Sequence, residues 1–242
     1  MSRRRRGPGW VPNQHGAWAM LATPLLVGIL ASSLQWVHLP LAAFWFAGYF
    51  AFYATGLWLK SGRRARYLPP VRTYAVVSAV LGALTLALDP GLLVWAPLFV
   101  VPLGVGLYAS ARRDERSLWS GVATSAGSSL MTLVAYDAGG GTDRARAWTL
   151  TGVLAAYLVG TVLYVKTMIR ERDDEAHHWL SSLGHGVATL AMIPVDAWLV
   201  MVFALLTIRA AVLPAFRVSP KAVGIGEIVA TVVVGVTALL VT

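Results

Sequence analysis

The sequence predicts an all-α polytopic membrane protein, with about nine transmembrane helices in one bundle. Three observations predict it. The chain is 57% hydrophobic and 13% charged, against about 25% charged in a soluble domain, so lipid has to cover what polar side chains do not. Its apolar residues fall into runs long enough to cross a bilayer. Its basic residues collect in every second connection between those runs.

A crossing helix needs about 20 mainly apolar residues. Nine runs approach that length, at 16–36, 38–59, 72–88, 91–110, 118–136, 147–169, 178–194, 196–213 and 223–241. The first (AWAMLATPLLVGILASSLQWV), second (LAAFWFAGYFAFYATGLWL) and sixth (LTGVLAAYLVGTVLYV) are the plainest; the third and seventh are short, and the eighth crowds its neighbours. Pro24, Pro97 and Pro102 fall inside runs. Each removes an N–H from the helix ladder, which is tolerated in lipid when a neighbouring helix or hydroxyl satisfies the freed carbonyl.

Loop charge tests the count independently. With the N-terminus in the cytoplasm, 18 of the 20 Lys and Arg residues lie inside, and only Arg144 and Arg146 fall outside. This is the positive-inside pattern, and one miscounted span would scramble it. The expected topology is N-terminus inside and C-terminus outside. Residues 1–15 form a basic cytoplasmic segment and residues 16–242 a single transmembrane domain. The arginine run Arg3–Arg6 resembles the start of a signal peptide, but Pro, Trp and His separate it from the first apolar run and further runs follow, so it reads as a topology determinant.

The net charge of +9 would suggest nucleic acid in a soluble protein. Here it is accounted for by basic loops beside anionic lipid, and the expected partners are membrane lipids rather than nucleic acid. The ten Trp and eight Tyr suit the two bilayer interfaces. The absence of cysteine excludes disulfides, thiolate metal sites and cysteine nucleophiles.

Two connections on the basic side carry unusual chemistry. In LWLKSGRRARYLPPVRTY, Lys60, Arg63, Arg64 and Arg66 stand without an acidic residue, and no Asp or Glu occurs anywhere in residues 1–88. Guanidinium forks in such a loop suit phosphate or carboxylate oxygens, although retention of the loop inside is, taken alone, the better account of the charge. In YVKTMIRERDDEAHHW, Lys166 and Arg170 share a helix face, Arg172 follows, and Asp173, Asp174 and Glu175 offer the oxygens that Mg²⁺ prefers. A solvated turn with internal ion pairs would look the same. Adjacent His177 and His178 point apart on a helix, which argues against zinc. Gln14, His15 and Trp18 enter the first run from the same side, and Glu227 sits about one turn inside the last. Polar groups at such depth are functional candidates by default, with helix capping for Gln14 and His15 and pairing with an arginine for Glu227 as the structural alternatives.

Taken together, WVPNQHGAWAML, LWLKSGRRARYLPP, YDAGGGTDRARAW, LYVKTMIRERDDE and SPKAVGIGEI resemble the YwiC-like family of bacterial integral membrane proteins across almost the whole chain. The resemblance implies a multi-pass protein of the bacterial cell membrane and no particular reaction. A weaker resemblance lies in the layout, which is similar to the UbiA superfamily of intramembrane prenyltransferases. That superfamily has nine helices, with Mg²⁺-binding aspartate motifs in the loops after helices two and six. The RYLPP ending of the first unusual loop is similar to a common UbiA ending, but arginines stand where the first aspartate motif would be.

These readings support a membrane protein that binds an isoprenoid, a quinone or another lipid-like anionic ligand in a cavity on the cytoplasmic side. The candidate ligand residues are Gln14, His15, Trp18, Lys60, Arg63, Arg64, Arg66, Lys166, Arg170, Arg172 and Glu227. A UbiA-like prenyl or lipid transferase is the alternative, a small-molecule transporter the third reading, and whether the protein is an enzyme stays open.

Overall fold

The computed structural model describes residues 9–12 and 17–242. Its elements are all helical. In chain order they are α1 (Ala17–Ala31), α2 (His38–Lys60), α3 (Leu68–Leu88), α4 (Ala96–Ala111), α5 (Leu118–Ser129), α6 (Met131–Ala138), α7 (Arg144–Ile169), α8 (Glu175–Ala191), α9 (Ala197–Val212) and α10 (Pro220–Val241). Short 3-10 turns precede α3 and α4 and follow α9.

Among the described residues six helical stretches have the length and composition to cross a membrane: His38–Lys60, Ala65–Leu88, Pro90–Ala111, Arg144–Ile169, Ala197–Ala215 and Pro220–Val241. The other three expected runs fall short for identifiable reasons. At about 1.5 Å per residue, the 15 residues of α1 and the 17 of α8 give less than the roughly 30 Å of a bilayer core. The expected run at 118–136 is divided at Leu130 into α5 and α6. Serines 125, 128 and 129 lead up to the division, where hydroxyls can compete for backbone partners.

One of those hydroxyls repairs a defect elsewhere. Pro24 lies inside α1 and cannot donate to the carbonyl one turn back, at Met20. Ser128 Oγ donates to Met20 O at 2.5 Å. Trp45 Nε1 from α2 donates to the next carbonyl, Leu21 O, at 3.0 Å. Further along the same helix, Gly28 of α1 lies directly against the backbone and Ala135 of α6. A Cβ added at Gly28 would lie 2.6 Å from Thr132 O and 2.7 Å from Ala135 Cβ, so only glycine permits this approach.

The centre of the bundle is α7, which packs on α1, α5, α6, α8 and α10. Leu150, Val153, Leu154, Tyr157 and Leu158 carry the main core, joined by Leu199 and Phe203 of α9 and Val234 and Ala238 of α10. A second core joins α1, α2 and α6 through Leu25, Leu41, Met131 and Val134.

Side-chain bonds sort the connections into two sets. In one, Arg146 Nη1 donates to Ala31 O at 3.0 Å, Ser33 Oγ to Gly139 O at 2.6 Å, and Trp95 Nε1 to Asp137 Oδ2 at 2.8 Å. In the other, Lys60 pairs with Glu115, Lys166 Nζ donates to Arg116 O at 3.2 Å, and Arg172 Nη2 donates to Val218 O at 3.1 Å. The first set contains the two arginines that break the charge alternation. Both are occupied: Arg146 as above, and Arg144 by Asp137 at 3.2 Å and by the Trp95 ring at 5.0 Å.

Replacing Ser128 by Ala leaves Met20 O unpaired in an apolar setting, and a loss of about 1–3 kcal/mol is expected. In a Pro24→Ala background the helix supplies its own N–H, and the same replacement costs much less. Unfolding titrations of the four proteins in detergent check this, and equal losses in both backgrounds would refute the repair.

Candidate functional site

The expected ligand residues divide on inspection. Gln14 and His15 lie outside the described residues. Trp18 turns its ring to α2, with centroids 6.1 Å from Phe46 and 5.9 Å from Phe50. Arg63 and Arg66 are exposed and lie against their own loop's aromatics, Trp58 at 5.9 Å and Tyr67 at 5.0 Å. Arg63 also has φ of 62°, an uncommon conformation outside glycine that fits the tight turn after α2. Arg64 is exposed and donates its backbone N–H to Ser61 Oγ at 3.2 Å. Arg170 is exposed at the end of α7. Arg172 is committed to the carbonyls of Met168 and Val218.

The acidic trio after α7 is divided as well. Asp174 caps α8 by accepting from His177 N at 3.1 Å, Glu175 accepts from Trp179 Nε1 at 3.4 Å, and Asp173 is exposed. Among the described residues no group of three or more His, Asp or Glu is arranged to hold a metal.

Lys60 and Lys166, one from each unusual stretch, both bond to the loop between α4 and α5. Glu115, in the loop between α4 and α5, takes Lys60 from the end of α2. Arg113 Nε in that loop donates to Lys60 O at 3.1 Å, and Arg116 O accepts from Lys166. Partial burial alone would raise the Glu115 carboxyl. The Lys60 hydrogen bond and charge, a backbone N–H and Arg116 outweigh it and hold the carboxyl below its ordinary value of 4.5.

Behind Lys60 and Glu115 lies a cavity of about 550 Å³ between α1, α2, α3, α4, α5 and α6. It follows α2 from Leu41 to Lys60, which at about 1.5 Å per residue is close to the thickness of a bilayer core. Phe44, Trp45, Tyr49, Phe52, Tyr53, Trp95 and Phe99 supply an aromatic wall. Lys60 and Glu115 are the charged residues on the lining. Gly48 lines it with no side chain, and a Cβ there would meet nothing within 4 Å. The volume falls within the roughly 300–1,000 Å³ of small-molecule sites, and an apolar wall with a few polar groups is their usual composition.

A separate polar centre lies between α7, α9 and α10. Glu227 Oε1 is 2.6 Å from Arg209 Nη1, and both side chains are largely buried, at 12% and 17% exposure. Glu227 Oε2 accepts from Thr161 Oγ1 at 2.8 Å and from the Tyr157 hydroxyl at 3.3 Å. The Arg209 guanidinium sits 4.0 Å over the Tyr164 ring. Glu227 thus has an arginine partner on one oxygen and two hydroxyl donors on the other.

Sequence reasoning expected a cavity but missed Glu115, Arg209 and the aromatic residues that line it. The signal for Glu115 was present: Lys60 lies within a stretch, residues 1–88, that has no Asp or Glu, so any acidic partner had to come from later in the chain. The lining has no such signal, because it is made by the placement of glycines such as Gly48 against aromatics on other helices.

Glu227→Gln leaves Arg209 as an unbalanced charge in an apolar setting, and a loss of about 3–5 kcal/mol is expected. Pairing it with Arg209→Gln should recover most of that. Denaturant or heat unfolding of both variants in detergent decides it; a double variant as weak as the single one would mean that the charge is not the cause.

Comparison with known proteins places the chain. The family described as YwiC-like protein matches residues 11–136. The "Uncharacterized protein YwiC" of Bacillus subtilis is 32% identical over 208 residues, covering 78% of this chain and 84% of that protein. An "Uncharacterized protein" of Haemophilus influenzae is 26% identical over 234 residues, covering 96% and 98%. No solved structure matches the chain. With the family match over more than half of the sequence and the Bacillus protein aligned over most of both lengths, the chain belongs to the YwiC-like family.

Proposed function

We propose that this protein is a nine-crossing protein of the bacterial cell membrane that holds an isoprenoid, a quinone or another lipid-like molecule in the cavity between α1 and α6. The cavity is the observation that carries the reading. It is long, aromatic and nearly uncharged, and its charged pair is confined to the Lys60 end. That arrangement suits a molecule with an apolar tail and one polar head. Its lining residues run from Ala17 to Val134, inside the stretch 11–136 matched by the family, so the site would belong to what the family shares.

The nine crossings follow from counting α5 with α6 as one broken passage and accepting α1 and α8 as short ones. The two sets of connections support this count. The Lys60 set carries the basic loops and belongs in the cytoplasm, and the Ala31 set belongs outside. A transferase reading has less behind it. The first loop has no carboxylate to hold a metal on a diphosphate, and Asp174 and Glu175 are engaged locally.

A reporter active only outside the cytoplasm, fused after Thr242, is expected to be active, and a cytoplasmic reporter at the same point silent. The reverse would give an even number of crossings and end the proposed topology. Native mass spectrometry of the purified protein is expected to find a copurifying apolar molecule. Gly48→Leu fills open space in the cavity and replaces a helix-interior glycine, so the fold should be kept or gain up to about 1 kcal/mol while the bound molecule is lost. A bound molecule that survives Gly48→Leu is not in the cavity.

A further inference from the structure

The wall of the cavity is closed at the back and open at the front. The back comes from α1 and α6, where Leu21, Met131 and Val134 are buried. At the front, Leu93 on the 3-10 turn Pro90–Trp95 and Leu103 of α4 line the cavity and are yet 59% and 46% exposed, and Ala96 between them is exposed as well. Residues that both line a cavity and face outward mark its rim.

Packing explains the opening. α3 lies along α2, where Gly82 leaves room for the Phe44 ring; a Cβ there would be 3.1 Å from it. α4 leans the other way, onto α5, where a Cβ added at Gly127 would collide with Pro102. The two helices share the turn between them but do not pack along each other. A slot is left, with Gly82 and Leu86 on one side and Ala96, Phe99 and Leu103 on the other, all of them on the cavity lining. Ala65–Leu88 and Pro90–Ala111 both have the length and composition of a membrane span, so in a bilayer the slot opens into hydrocarbon.

The Lys60 end is a poorer way in. There Lys60 pairs with Glu115, and Arg113 Nε donates to Lys60 O at 3.1 Å, tying the end of α2 to the loop between α4 and α5. An apolar chain arriving from water would have to pass this charged pair and strip water from it, which is costly. At the slot the same chain meets apolar side chains and exchanges one apolar medium for another.

We propose that a lipid-soluble molecule enters and leaves the cavity sideways, through the slot between α3 and α4. The proposal rests on the cavity being a ligand site, as proposed above, and adds that its ligand is drawn from the molecules dissolved in the membrane, not from those dissolved in water.

The test needs no knowledge of the natural ligand. The full chain, washed in detergent and placed in phosphatidylcholine nanodiscs, is irradiated with a diazirine that dissolves in hydrocarbon, trifluoromethyl-iodophenyl-diazirine, or with one that stays in water, photo-leucine. Peptide mass spectrometry reads the labelled positions. The hydrocarbon-soluble reagent is expected to label the back wall at Met131 and Val134, and photo-leucine to leave it unlabelled. Leu93→Trp combined with Leu103→Trp narrows the slot at exposed positions, where substitutions disturb a fold least. This variant is expected to lose the back-wall labels and to keep those on Leu183 and Leu190, which are exposed on α8. Back-wall labelling by photo-leucine, or labels that survive in the double variant, overturn the slot and leave the cavity reading standing. A back wall that neither reagent labels in the unaltered protein overturns the cavity reading, and the entrance with it. Gly48→Leu fills the cavity, so it too should remove the back-wall labels; labels that survive it did not come through the cavity, which overturns both.

Discussion

Inside a bilayer a freed carbonyl or a stranded charge has no water to turn to, and the packing of this bundle follows from that constraint. Pro24 breaks the ladder of α1, so α5 must come close enough for Ser128 to reach Met20 O. The approach of α6 to the same helix then requires a glycine at position 28. Glu227 cannot stand alone in α10, so α7 brings Tyr157 and Thr161, and α9 brings Arg209. Helix contacts in this fold are thus largely dictated by where a polar group needs an answer, with α7 as the element that most others use.

The two halves of the chain meet the constraint differently. Residues 144–241 fill their interior: α7, α9 and α10 share a core of large apolar side chains around one buried ion pair. Residues 17–134 leave theirs partly empty, and among the described residues the charged lining lies at one end. The filled half serves as a frame on which the hollow half is held through α1, α5 and α6, all of which touch α7.

Much of this was legible from residue order, and the reasons differ by element. The second and sixth runs, plain in the sequence, became the long passages α2 and α7, whereas the first, equally plain, became the 15-residue α1. The charge alternation was legible because it depends on counts rather than contacts, and its two exceptions, Arg144 and Arg146, are residues that the fold occupies with Asp137 and Ala31 O. Glu227 was visible as a group needing a partner, but sequence order could not select Arg209 among twenty basic residues. The division at Leu130 was not legible, since Leu130 itself is an ordinary helix former and Ser128 before it acts through α1. The arginines of the first unusual loop drew attention as a cluster, yet a cluster has no direction. The fold turns two of them onto neighbouring rings and brings Lys60 alone to the cavity.

Glu227 follows Arg209 in the chain, with α10 directly after α9, and this order decides when the pair can form. Arg209 is synthesised before its counter-ion, and the next helix brings the carboxylate. Two helices that are neighbours in the chain are thereby joined by charge as soon as both are made.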